Sequence, residues 1–132
     1  MGIVKYLLDT HTLLWAMQKD VMLSKTAKNI MSDVNTQFFV SAVSAYEIMY
    51  KFKLGKLDEY KYVAENYFDV LDEFGADRLP INERHTHLAG QTEWQHRDPF
   101  DRLLAAQASV ENLTLITNDP VFDTIDWVNT LW

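Results

Sequence analysis

In this 132-residue chain, acids follow short apolar segments or open the elements after them, and that placement is the first sign of chemistry. Asp9 follows Ile3-Val4-Lys5-Tyr6-Leu7-Leu8, and Glu47 comes soon after Phe38-Phe39-Val40-Ser41. Asp101 lies within Arg97-Asp98-Pro99-Phe100-Asp101-Arg102, and Asp119 follows Leu115-Ile116-Thr117-Asn118. In an open parallel α/β sheet the carboxyl ends of the strands form the ligand crevice, so acids placed there meet although distant in sequence. Converging carboxylates repel one another unless a cation lies between them. The pattern points to a divalent-metal site and a metal-dependent reaction.

Each acid also has a structural reading. Asp9 directly follows an apolar strand and would cap the next helix, but Thr10 or Thr12 could do that equally well. Ser44-x-x-Glu47 has the spacing of a capping box, in which the glutamate turns back to the N-cap amide, and taken singly Glu47 reads as a cap. Asp98 is a ready N-cap, and Asp101 at the third helical position complements the helix dipole. Their three-residue spacing also places them side by side on one helix face, able to share a metal or its waters. Asp119 reads alternatively as the cap of a turn before Pro120, and Asp123 as a solvated loop acid. Independent caps need not all fall at one sheet edge, so the joint placement favours a site.

The remaining chemistry-bearing residues are fewer. His85 and His87 sit two apart in a helical pattern, where they point to different sides, so a histidine zinc site is disfavoured. His11 and His96 flank the acid motifs, and Arg97 and Arg102 are the nearest cations, able to pair with the acids or hold phosphate. Thr10, His11, Arg97 and Arg102 are therefore the candidate substrate contacts. Cysteine is absent, which excludes thiolate ligands, a cysteine nucleophile and disulfides. Neither a glycine-rich phosphate loop nor a Gly-x-Ser-x-Gly elbow occurs.

The elements that must position these residues alternate between strand and helix. Strands are expected at residues 3–8, 37–41 and 113–117, with a weak one at 79–81 and a last one at 125–128. Ser24, with Leu23 as staple, opens a helix with a stripe of Ala27, Ile30, Met31 and Val34. A helix beginning at Ser44 turns Ile48, Met49 and Phe52 inward and stops near Gly55. The longest helical pattern runs from Asp58 to Phe74, with Gly75 as its stop, and Tyr60, Tyr62 and Phe68 widen its apolar stripe beyond one face. Asn82 caps a helix through Ala89, and Asp98-Pro99 is a strong start for a small-residue helix, because proline lacks the donor that would go unpaired there. The order predicts a three-layer α/β/α sandwich around a mainly parallel sheet, in a single domain over 1–132.

A hydrophobic content of 48% fits a domain with a substantial core. Net charge is −7, the wrong sign for holding nucleic acid by a general basic surface. Bound Mg²⁺ or Mn²⁺ would reverse that sign locally and attract phosphate. Every lysine lies at or before Lys61. The opening apolar run is far shorter than a signal-peptide core or a membrane span, so the expectation is a cytoplasmic protein with no membrane contact.

With these residues in hand, the chain resembles the PIN-domain nucleases and, within them, the toxins of VapBC-type toxin–antitoxin pairs. The resemblance is carried by Leu7 to Trp15, by Ser41-x-x-Ser44-x-x-Glu47-Ile48, by His96 to Ala108 and by Leu115 to Asp119, in family order and across nearly the whole chain. It implies a Mg²⁺- or Mn²⁺-dependent endoribonuclease acting on RNA, often a homodimer, held inactive by a small antitoxin protein. The family's acids fall on Asp9, Glu47, Asp101 and Asp119, and Asp98 matches an additional acid of the Arg-Asp-Pro-Phe-Asp-Arg subgroup. On that basis Asp9 and Asp101 are the principal ligands, Glu47 and Asp119 bind directly or through water, and Asp98 supports them.

Other readings meet specific obstacles. A phosphoaspartate enzyme would want an aspartate two residues after Asp9 and a later lysine, but residue 11 is His11 and no lysine follows Lys61. A catalytically silent metal-binding interaction module and an orphan nuclease outside any toxin–antitoxin pair remain as alternatives.

Overall fold

The computed structural model describes residues 3–132. Its sheet consists of β1 (Val4–Leu8), β2 (Thr36–Ser41), β3 (Asp77–Leu79), β4 (Thr114–Ile116) and β5 (Thr130–Leu131). All pairings are parallel and the spatial order is β3-β2-β1-β4-β5. The chain therefore builds outward from β1 in one direction and then returns to build in the other, which makes the β1–β4 boundary the switch point where such sheets open a crevice. Register brings the strand ends together: Leu8 lies opposite both Val40 and Ile116. The residues that follow, Asp9, Ser41 and Thr117, emerge side by side.

Helices α1 (Thr10–Gln18), α2 (Lys25–Ser32), α3 (Ala42–Lys53), α4 (Lys61–Glu65), α5 (Tyr67–Phe74), α6 (Glu83–Gln91) and α7 (Pro99–Val110) cover the sheet. Strand alternation sends Leu8 into one core with Leu13, Ile48, Val63 and Leu71, and Leu7 into a second core with Leu104, Ala105, Leu115 and Phe122. This is the expected three-layer sandwich. Burial along β1 rises toward its end, from Val4 at 52% exposed to Leu7 and Leu8 at 0%, so only the end leading to Asp9 is covered on both faces.

Six local expectations are corrected. Helix α3 begins at Ala42 with Ser41 as N-cap, its hydroxyl accepting from the Val43 N–H at 3.0 Å, rather than at Ser44. Of its expected inward residues, Ile48 is buried but Met49 is exposed. Val34 lies beyond the end of α2 and is 91% exposed, because the helix has already stopped at Ser32. The pattern from Asp58 to Phe74 is broken: residues 58–60 form a 3-10 turn, and α4 gives way to α5 at Asn66, whose side chain donates to the Tyr62 carbonyl at 3.0 Å and so competes with helix continuation. The break divides the aromatics, with Tyr60 and Tyr67 buried and Tyr62 and Phe68 exposed. The last strand is Thr130–Leu131, since the chain before it is spent covering the second core with Trp127 and Val128. The weak strand near 79–81 lies instead at Asp77–Leu79, ahead of donor-less Pro80. Gly55 and Gly75 end their helices with φ of 76° and 79°, as expected for left-handed stops.

Candidate metal centre

Asp9 is both a cap and a lining residue. One carboxylate oxygen accepts from the Thr12 N–H at 2.7 Å, closing the start of α1, and the other accepts from the Thr117 hydroxyl across the β1–β4 boundary. The residue is 6% exposed, and burial raises its pKa above the ordinary 3.8 against the opposing hydrogen bonds from Thr117 and Thr12. Thr12 is itself anchored to the Ile116 carbonyl at 3.0 Å, while Thr10 shares a 2.9 Å hydrogen bond with Ser44. These contacts tie α1 to β4 and α3 and leave little room for Asp9 to retreat.

Glu47 has no capping role. Because α3 starts at Ala42, Glu47 falls in the second turn, and it is 5% exposed. One oxygen pairs with Lys51, four residues on, at 2.5 Å. The other, Oε1, is buried without a hydrogen-bond partner among the described residues. A buried carboxylate oxygen left unpaired is costly, because desolvation is not compensated. Burial opposes protonation of Lys51, but Glu47, Asp98 and Asp101 outweigh it and raise the lysine pKa above 10.5.

Helix α7 brings the next two acids. Asp98 is its N-cap, accepting from the Phe100 N–H at 2.8 Å and the Asp101 N–H at 3.4 Å, with Pro99 in the first turn. Asp101 instead faces His96, with Nε2 2.7 Å from Oδ2. Burial pushes the Asp101 carboxyl up to about 6; the His96 hydrogen bond resists that rise, and the neighbouring Asp98 and Glu47 reinforce it. One potential ligand atom from each of His96, Asp98 and Asp101 lies within 4.8 Å of the other two. Asp119 is exposed and caps the 3-10 turn at 120–124, accepting from the Val121 N–H at 3.0 Å.

Asp9, Glu47, Asp98, Asp101 and Asp119 all line one cleft of about 560 Å³, together with Thr10 and His11. Lys51 is the only lysine or arginine in that lining among the described residues. Asp123 does not line it. The five carboxylates thus converge from the ends of β1 and β4, the second turn of α3 and the start of α7.

Two expected substrate contacts sit elsewhere. Arg102 donates to the carbonyls of Ala89 (3.0 Å), Trp94 (2.8 Å), His96 (3.0 Å) and Thr92 (2.6 Å), and to the Thr92 hydroxyl (3.0 Å). All five guanidinium N–H donors are engaged, leaving none for phosphate. Its task is to pin the segment that delivers His96 to the cleft. Arg97 is exposed and outside the lining. His85 is fully buried, accepting from the Asn82 N–H at 3.1 Å and lying 2.8 Å from Glu111, so it serves the start of α6 rather than a metal.

Sequence reasoning passed over Lys51, Thr117 and Ser44 as site residues and placed His96 only as a flank of the acid motif. For Lys51 the signal was present as its four-residue spacing from Glu47.

No characterised protein gives a significant sequence match over this chain. Among solved structures, the fold is similar to VapBC2 from Rickettsia felis bound to a promoter DNA fragment, with TM-score 0.71, 22% identity and coverage of 97% of this chain and 98% of that one. It is also similar to DNA-bound VapBC from Salmonella typhimurium (TM-score 0.68, 17% identity, 97% of each chain) and to FitAcB from Neisseria gonorrhoeae (TM-score 0.63, 21% identity, 96% of each chain). These likenesses concern the fold. The PIN domain model matches residues 6–128, and the chain belongs to the PIN-domain family.

Proposed function

We propose that this protein is a divalent-cation-dependent endoribonuclease and the toxin of a toxin–antitoxin pair. The observation that carries the cation is the unpaired, buried Oε1 of Glu47 in a cleft lined by five carboxylates and one lysine. Donor chemistry fits: hard oxygen ligands with at most one imidazole suit Mg²⁺ or Mn²⁺. Asp9 and Asp101 would hold the cation as principal ligands, Glu47 and Asp119 directly or through water, and Asp98 would keep the start of α7 in place. A bound cation would supply Lewis-acid polarisation of the scissile phosphate and a lowered pKa for an attacking water.

The chain's own residues prepare that reaction. Thr117 and the Thr12 N–H fix both oxygens of Asp9, so its carboxylate is oriented before anything binds. His96 orients Asp101 through the contact of its Nε2 with Oδ2. Exposed His11 in the cleft lining is the substrate contact, and Thr10, buried beside it in the same lining, is held by Ser44.

The partners proposed are an RNA substrate, a small antitoxin protein and a second copy of this chain. The fold's likeness to toxin–antitoxin complexes supports the antitoxin. Exposed Tyr46, Met49 and Tyr50 on α3 and Phe68 on α5 supply an apolar face for a homodimer. No helix among the described residues is long and apolar enough to cross a membrane. The test is cleavage of RNA by purified protein with Mn²⁺ and with EDTA. Cleavage confined to the Mn²⁺ arm is expected; equal cleavage in EDTA would remove the cation from the account.

A further inference from the structure

Five carboxylates meet one lysine in the cleft, and that lysine holds only half of what it touches. Lys51 pairs with Oε2 of Glu47 and leaves Oε1 unpartnered, so the ion pair does not complete the glutamate. An isolated helix-surface pair with this spacing would be unremarkable. Here the glutamate is almost wholly buried, while the lysine is about one-third exposed. The ammonium lies 5.9 Å from the Phe100 ring centroid, and the side chain borders both the acid cleft and the neighbouring apolar hollow beside Tyr46 and Tyr50. Lys51 therefore stands on the wall between the carboxylates and open surface. Arg102 is fully engaged with residues 89–96 and Arg97 lies outside the lining, so among the described residues Lys51 is the lysine or arginine of the cleft placed to meet a substrate anion.

We propose that Lys51 exchanges partners: it holds Glu47 while the cluster is without a cation, and it anchors a non-bridging oxygen of the substrate phosphodiester once Glu47 turns to the divalent ion. This rests on the metal-nuclease reading and adds a substrate-anchoring residue to it. Electrostatics favours the exchange on both sides. A divalent ion near the carboxylates repels the ammonium from Glu47, and an incoming phosphate restores its counter-charge. Lysine suits the task better than arginine would, being a compact charge on a flexible stem with three rotatable donors.

The test compares wild type, Lys51→Met and Lys51→Arg in two binding measurements that need no turnover. Titration with Mn²⁺ alone, followed by calorimetry, is expected to show Lys51→Met binding roughly tenfold tighter than wild type, because a neighbouring positive charge is gone. Lys51→Arg should stay near wild type. In the second measurement a 2′-O-methyl oligonucleotide is bound with Ca²⁺ in place of Mn²⁺, followed by anisotropy across a salt series. Lys51→Met should bind more weakly and lose about 0.7 from the log–log salt slope, the share of one strand phosphate, and Lys51→Arg should restore it. A merely structural ion pair would leave the slope unchanged. Unchanged Mn²⁺ affinity in Lys51→Met overturns the exchange, and an unchanged slope overturns the phosphate contact. Wild type that binds no Mn²⁺ overturns this proposal and the reading beneath it. Wild type that binds Mn²⁺ and cleaves RNA, with Lys51→Met indistinguishable from it in both titrations, overturns this proposal alone.

Discussion

Two clusters of buried polar side chains lie in this small domain, and they are finished to different degrees. Around His85, both ring nitrogens have partners, Asn82 and Glu111, and Gln107 joins Ser41 to the Pro80 carbonyl at 3.3 Å. At the acid cleft, Glu47 keeps an unpaired oxygen, and Asp9 and Asp101 are pushed up in pKa by burial. Both clusters carry the desolvation penalty, but only the first is compensated from inside the chain. A group left incomplete by its own protein is one whose partner comes from outside.

Substitutions should separate the two. The largest effect is expected from Asp9→Asn, which keeps the cap on α1 but removes a charge from the cluster; RNA cleavage in Mn²⁺ should fall more than about a hundredfold. Initial rates on one RNA check this, and an undiminished rate would make Asp9 a cap alone. His85→Ala should act in the opposite sense, costing about 3 kcal/mol in urea unfolding through a cavity and a lost cap, while the response to Mn²⁺ survives. If that variant lost its cation response at unchanged stability, the contrast between the clusters would collapse.

Acidity gives a third contrast. The folded Asp101 pKa of about 6 lies above its ordinary 3.8, so the stability it contributes is full below about 3.8 and is lost as pH rises through about 6. Without cation, wild type should therefore lose up to about 3 kcal/mol relative to Asp101→Asn between pH 4 and pH 7. Urea unfolding of both proteins at the two pH values reads this difference, and parallel pH curves would show that Asp101 is not held against its charge. A smaller effect is expected at Arg102→Met, about 2 kcal/mol from the released carbonyls, with weaker cation binding because His96 loses its support. Unaltered Mn²⁺ affinity in that variant would detach the clamp from the cleft.

Much of the fold could be read from residue patterns because its signals are local. Asp98-Pro99 starts α7 through a cap and a missing donor, and the apolar run ending at Leu8 leads into Asp9. The errors have a different origin. Ser41 and Ser44 are both good caps, and the choice between them falls to Ser41, whose hydroxyl also donates to Gln107 in α7, a contact spanning sixty-six positions. That one choice moved Glu47 from a cap into the cleft wall and took Lys51 with it. Arg102 misled for the same reason, since its carbonyl partners are visible only once residues 89–96 wrap around it. Thr117 was hidden because its partner, Asp9, lies just past the end of a neighbouring strand.

The central claim is that the five-carboxylate cleft is completed by a divalent cation, and thermal unfolding with and without Mn²⁺ tests it without reference to substrate. At about a hundredfold excess over Kd, wild type is expected to gain roughly 5–10 °C in Tm, and Asp9→Asn and Glu47→Gln to gain much less. A wild-type Tm that does not move at any Mn²⁺ concentration, with both variants melting as wild type does, would contradict it.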